Sequence, residues 1–193
     1  PAVRAPKEAE APISFVLIAR MLWDKGIGEF VDAARIVKAK FPRTVFRLVG
    51  PQGIQNKTAI SEATIQAWVD EGVVEYLGET NTVRDVIAAH DCIVLPSYRE
   101  GMSRVLLEAA AMGKPLIATD VPGCRQIVED TKNGLLCKVQ DVEDLARAII
   151  VFLNLSPKQR AEMGAESRAK AVREFDQKLV IDAYQQKIRM LSV

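Results

Sequence analysis

Short, almost uninterrupted apolar runs alternate along this chain with longer stretches in which apolar residues recur every three or four positions. The runs are Ile13 to Ala19, Val45 to Val49, Val73 to Leu77, Cys92 to Leu95, Pro115 to Thr119 and Leu135 to Val139. An apolar run without polar alternation predicts a strand covered on both faces, as in a parallel sheet. Helical spacing predicts helices over Ile27 to Lys40, Ser61 to Glu71, Val83 to Ala89, and from an N-cap at Ser103 to a stop at Gly113. A further helix capped by Asp141 runs to Leu153, with Val142, Leu145, Ala146, Ile149 and Phe152 on one face. From Pro157 onward two amphipathic helices follow, separated near Phe175 and Asp176. Strands alternating with helices of this length predict an α/β fold: a Rossmann-like, doubly wound parallel sheet of about six strands with helices on both faces and right-handed crossovers.

Composition narrows this picture. The chain of 193 residues is 49% hydrophobic and 26% charged, enough for one well-buried domain. The segment 1–12, PAVRAPKEAEAP, reads as a linker or an artificial boundary, leaving 13–193 as the folded unit and suggesting a piece of something larger. A formal net charge of +1 gives no electrostatic case for nucleic acid. Cys92, Cys124 and Cys137 are odd in number and scattered, which suits buried thiols in a reducing cytosol. Neither a signal peptide nor a membrane-spanning run is visible. The one histidine, His90, ends a predicted helix, where a favourable interaction with the helix dipole is the simplest reading. Nothing pairs with it as a nucleophile would, and no zinc spacing exists. Asn133-Gly134 reads as a turn.

The candidate chemistry lies in DCIVLPSYREGMSRVLLEAAAMGK, Asp91 to Lys114. Here a strand gives way at Pro96 to a loop and then to a helix start at Ser103, whose unpaired N–H groups and dipole favour an anion; Gly101 lets a ligand come close. Glu100 and Glu108 frame this place. Carboxylates beside an anion site suit the hydroxyls of a long neutral moiety, although paired glutamates on helices are as often solvated charges. After the first strand, Arg20 and Lys25 bracket the loop RMLWDKG, where two cations suit a diphosphate or are ordinary surface charges. ARMLWDKG is not G-x-G-x-x-G, so a nicotinamide site of the usual kind is not expected.

Glu100 and Glu108 within EGMSRVLLEA, followed by MGKPLIATDVPG, resemble the donor-binding segment of the retaining GT-B glycosyltransferases of family 4. The resemblance covers nearly the whole chain and implies the C-terminal half of a GT-B fold, with the N-terminal acceptor half lying elsewhere. It implies that Arg20 and Lys25 contact the donor diphosphate, together with the amides of Gly101, Met102 and Ser103. Glu100 would then hold the sugar hydroxyls and Glu108 the ribose, while the loop of Thr80 receives the base. Arg104 lies nearby without an assigned task. The family usually has glycine where Ala19 and Ser103 stand, Phe or Leu at Met102, and an acid at Gln126.

By the same resemblance the donor is a nucleotide sugar, most often UDP-linked, and the acceptor a glycan or lipid-linked saccharide of bacterial capsule or lipopolysaccharide synthesis. That places the full-length enzyme in the cytoplasm at the inner membrane's cytoplasmic face, with peripheral membrane contact. The last helix of such enzymes returns to the amino-terminal domain, a contact open to Tyr184, Ile188 and Leu191. No cofactor and no metal is expected, since no DxD is present and two cations can take a metal's place. Two other classes share the fold: a nucleotide-sugar epimerase and a binding module without turnover.

Overall fold

The strands β1 (Ser14–Ile18), β2 (Val45–Val49), β3 (Glu75–Tyr76), β4 (Cys92–Leu95), β5 (Leu116–Thr119) and β6 (Gly134–Cys137) lie in one sheet, ordered β3-β2-β1-β4-β5-β6. Every neighbouring pair is parallel. The structure, a computed structural model, describes residues 12–191; the predicted linker falls outside them except for Pro12. Around the sheet run α1 (Ile27–Lys40), α2 (Glu62–Asp70), α3 (Val83–Ala89), α4 (Arg104–Ala111), α5 (Pro122–Arg125), α6 (Val142–Asn154), α7 (Pro157–Phe175) and α8 (Gln177–Leu191).

The apolar runs are explained by two cores. Phe15 and Leu17 of β1 join the core built with α1 and α6, whereas Val16 and Ile18 join the one built with α3, α4 and α5. β4 divides in the same way, Cys92 and Val94 to the first and Ile93 and Leu95 to the second. A strand covered on both faces has no position for a polar side chain to reach water, so its sequence shows no alternation. Phe15 anchors the first core, stacked on Phe46 with centroids 5.2 Å apart and edge-on to Phe152 at 5.7 Å.

Three expectations need correction. The third strand shrinks from Val73–Leu77 to Glu75–Tyr76, because β3 is the sheet's edge and pairs only with β2. The turn into β6 covers Thr131 to Asn133, with Thr131 left-handed at φ 63°, and Gly134 already belongs to β6 rather than to the turn. Asn133 is buried, donating from Nδ2 to Ile127 O at 2.9 Å and accepting from Glu129 N at 2.7 Å. Gly134 is required because a Cβ there would stand 2.3 Å from Leu116 O. His90 ends α3 as expected but not as a cation on its dipole. It is 2% exposed, its Nδ1 faces Val86 O at 2.6 Å, and its Nε2 faces Arg47 Nη1 at 3.3 Å. A donor toward the carbonyl and an acceptor toward arginine describe a neutral ring, and burial lowers its pKa below 6.5.

The predicted caps at Ser103 and Asp141 are present, and Ser156, which was not anticipated, caps α7 reciprocally: its Oγ accepts from Gln159 N and its N–H donates to Gln159 Oε1. Tyr184 and Ile188 of α8 are 68% and 61% exposed. The side chain of Leu191 lies outside what is described. Among the described residues no helix is long and apolar enough to cross a membrane.

Candidate functional site

The strand order creates a switch point. From β1 the chain proceeds toward β2 and β3, and from β4 toward β5 and β6, so the loops leaving β1 and β4 part at the carboxyl edge and leave a crevice. Into it come the loop Arg20 to Lys25, which closes in a 3-10 turn at Trp23–Lys25, and the loop Pro96 to Ser103. Gly26 ends the first loop at φ 71°, where a Cβ would stand 2.0 Å from Pro96 O. Only glycine allows the two loops this approach.

Four hydrogen bonds fasten the loops. Tyr98 N donates to Asp24 O at 3.0 Å, and Ser97 Oγ to the same oxygen at 3.3 Å. Tyr98 OH donates to Glu29 Oε1 at 2.6 Å, and Lys25 Nζ to Glu100 Oε1 at 2.7 Å. Burial first, then the bond to Glu29, pushes the Tyr98 phenol up to about 12, so it stays a donor. Glu29 Oε2 is buried without a hydrogen-bond partner. Of the predicted residues, Lys25 and Glu100 are thus brought into direct contact, with side chains 20% and 13% exposed.

The second loop is supported from behind. Thr119 Oγ1 donates to Ser97 O at 2.5 Å, and α5 begins so close that a Cβ on Gly123 would stand 2.3 Å from Glu100 O and 2.2 Å from Gly101 O. Burial, with the nearby charge of Glu100 adding to it, pushes the Cys124 thiol up to about 12. This cysteine is packing and not a nucleophile. On the outer side Gly101 and Met102 are exposed, and nothing lies within 4 Å of a Cβ built on Gly101. Ser103 is buried, its Oγ accepting from Leu106 N at 3.3 Å, so its hydroxyl serves the helix and only backbone is left to offer a ligand.

The other predicted residues stand apart from this contact. Arg20 is exposed and bonds through its side chain to no described residue. Arg104 and Glu108 meet each other one turn apart on α4, at 3.9 Å, with side chains 90% and 35% exposed. Thr80 is two strands away beyond β3, and its hydroxyl accepts from Thr82 N at 3.0 Å in a local turn. Among the described residues no His, Cys, Asp and Glu cluster has the makings of a metal site. A hollow of 340 Å³ lined by Gln52, Glu62, Ile65, Gln66 and Tyr76 contains none of the predicted residues. Asp24, Glu29, Tyr98 and Gly123 were not anticipated. Tyr98 and Gly123 sit inside the two quoted motifs, but Asp24 and Glu29 look like ordinary loop and helix acids.

Residues 12–154 match the family model described as glycosyl transferases group 1. The N,N'-diacetylbacillosaminyl-diphospho-undecaprenol alpha-1,3-N-acetylgalactosaminyltransferase of Campylobacter jejuni is 31% identical over 88% of this chain and 42% of that protein. The lipopolysaccharide core biosynthesis glycosyltransferase LpsE of Rhizobium meliloti is 31% identical over 92% of this chain and 50% of that one. Among solved structures, sucrose-phosphate synthase from Thermosynechococcus elongatus superposes with a TM-score of 0.78 at 29% identity, over 96% of this chain and 46% of its own. Alr3699/HepE of Anabaena, solved in complex with UDP-glucose, gives 0.78 at 26% identity, over 94% and 49%. This chain spans half or less of each of these proteins.

Proposed function

The chain belongs to the glycosyl transferases group 1 family, and from that premise we propose that it is the nucleotide-sugar-binding, C-terminal half of a retaining GT-B glycosyltransferase of family 4. The donor is a UDP-sugar or a close analogue. The complete enzyme transfers a hexosyl unit to a glycan or lipid-linked acceptor held by its other half, in the synthesis of bacterial capsule or lipopolysaccharide at the cytoplasmic face of the inner membrane. The observation that carries the reading is the meeting of Lys25 and Glu100 across the switch-point crevice, beside the open Gly101 and the start of α4. A cation, a carboxylate and unpaired amides together match a ligand with an anionic and a hydroxyl-rich part.

The demanding step is loss of the diphosphate from the anomeric carbon, during which negative charge grows on the leaving oxygens. Fixed charges aimed at those oxygens lower the barrier without reorganising at the moment of reaction. Arg20, Lys25 and the amides of Gly101 to Ser103 do this, Glu100 holds the sugar hydroxyls, Glu108 the ribose, and the Thr80 loop the base. No metal takes part. The chain by itself is expected to bind donor and transfer nothing, since a GT-B cleft needs both halves.

Calorimetric titration with UDP and UDP-glucose tests this. Both ligands bind, chelator leaves their affinities nearly unchanged, and Glu108→Gln weakens both alike, by roughly tenfold for the loss of a charged hydrogen bond. Failure of the unaltered chain to bind either nucleotide overturns the reading. Loss of binding in EDTA overturns the metal-free part alone.

A further inference from the structure

We propose that Lys25 and Glu100 form an exchange pair, in which a donor diphosphate displaces Glu100 from Lys25 and only then frees that carboxylate for the sugar. The inference rests on the donor-site reading above and adds an order of recognition to it. The ammonium and the carboxylate that are to serve two different parts of the donor are bonded to each other at 2.7 Å. They come from loops 75 residues apart, so the contact is made by the fold and not by local sequence. Both side chains are largely shielded, at 20% and 13% exposure, so each is the other's main source of charge compensation. Among the described residues Lys25 Nζ has no second acceptor and Glu100 no second donor.

The consequence is a locked site. While the pair is closed, Glu100 is neutralised and turned toward Lys25, and the exposed cations of the two loops are Arg20 and Arg99. A phosphate carries more negative charge than a carboxylate and presents more acceptor oxygens, so, drawn in by the exposed arginines, it competes for the ammonium. Once it does, Glu100 loses its cation and seeks hydroxyl donors, which the sugar supplies next to the diphosphate. A free sugar brings no phosphate and finds Glu100 occupied. The pair therefore rejects unactivated sugar without a steric filter.

A simple positioning role, in which Glu100 steers Lys25 onto the phosphate, predicts the opposite sign, and Glu100→Gln separates the two. Under exchange, this variant releases Lys25 in advance, so UDP and inorganic pyrophosphate bind tighter, by roughly threefold to tenfold for a shielded ion pair no longer competing. The gain of UDP-glucose over UDP vanishes at the same time, while free glucose binds neither protein. The melting temperature without ligand falls slightly and the rise on adding UDP becomes larger. Unchanged or weaker UDP binding by Glu100→Gln, with UDP still bound by the unaltered chain, overturns the exchange and leaves the donor-site reading intact. No UDP binding by the unaltered chain removes both. If Glu100→Gln is too unstable to titrate, Glu100→Asp, one methylene short of the contact, must show tighter pyrophosphate binding, and weaker binding there overturns the proposal as well.

Discussion

Among the described residues two lysine–glutamate bridges tie distant segments, and they differ in how completely the lysine is used. Lys170 of α7 is almost buried, at 9% side-chain exposure, and donates to Glu129 at 2.9 Å and to Glu174 at 3.3 Å. Glu129 also accepts from Lys132 at 2.9 Å. The bond from Lys170, then that from Lys132, holds the Glu129 carboxyl down at about 2. Lys25 reaches a single carboxylate and keeps two of its three N–H donors unspent on described residues. The same two side-chain types thus make a saturated clamp in one place and an interruptible contact in the other. The two bridges differ in the number of partners more than in the length of the bond.

Replacing each lysine sharpens that contrast. Lys25→Met is expected to cost UDP roughly tenfold to a hundredfold in affinity, the range for charged hydrogen bonds, and also to lower the unliganded melting temperature, because Glu100 is left without its one described donor. Calorimetry and thermal melting on one preparation check both halves of the statement. Lys170→Met should lower stability alone. It leaves Glu129 and Glu174 facing each other without their shared cation, at about 1 to 2 kcal/mol once solvent screening of the exposed carboxylates is allowed for. In a chain of this size that is a fall of roughly 3 to 6 °C, with UDP affinity unchanged. A Lys170→Met protein that melts normally but has lost UDP would reverse the assignment of the two bridges.

The smallest effect is on pH dependence. His90 has its pKa lowered below 6.5 by burial, so the unfolded chain takes up its proton first, and stability declines as pH falls below 6.5. Glu129, lowered from 4.5 to about 2 chiefly by Lys170, contributes stability that is complete above 4.5 and is lost as pH falls toward about 2. Melting curves should therefore show two acid-side declines, and Glu129→Gln should shrink only the lower one, which Glu71, Asp144 and Glu174, their carboxyls also held down by basic partners, share.

What could be read without coordinates is what depends on neighbours along the chain. The apolar run of β1 announces a strand covered on both sides, and Ser103 and Asp141 announce helix starts, because period and capping act over three or four residues. Arg20, Lys25, Glu100 and Glu108 were legible as candidates because short motifs carry them. Where local chemistry and tertiary contact disagree, the contact prevails. Asn133-Gly134 has turn composition, yet the close approach of Leu116 draws Gly134 into a strand, and His90 sits on a helix end but is neutralised by burial beside Arg47.

The meeting of Lys25 with Glu100, and of Tyr98 with Glu29, belongs to the tertiary structure alone. Both depend on β1 lying beside β4, and the order β3-β2-β1-β4-β5-β6 leaves no trace in periodicity, since every strand of a buried parallel sheet carries the same apolar pattern. Partner choice among such strands is settled by how side chains of distant segments pack across the sheet. The chain's local pattern therefore specifies six strands and their helices, and the packing decides which two loops face each other and so which charges meet.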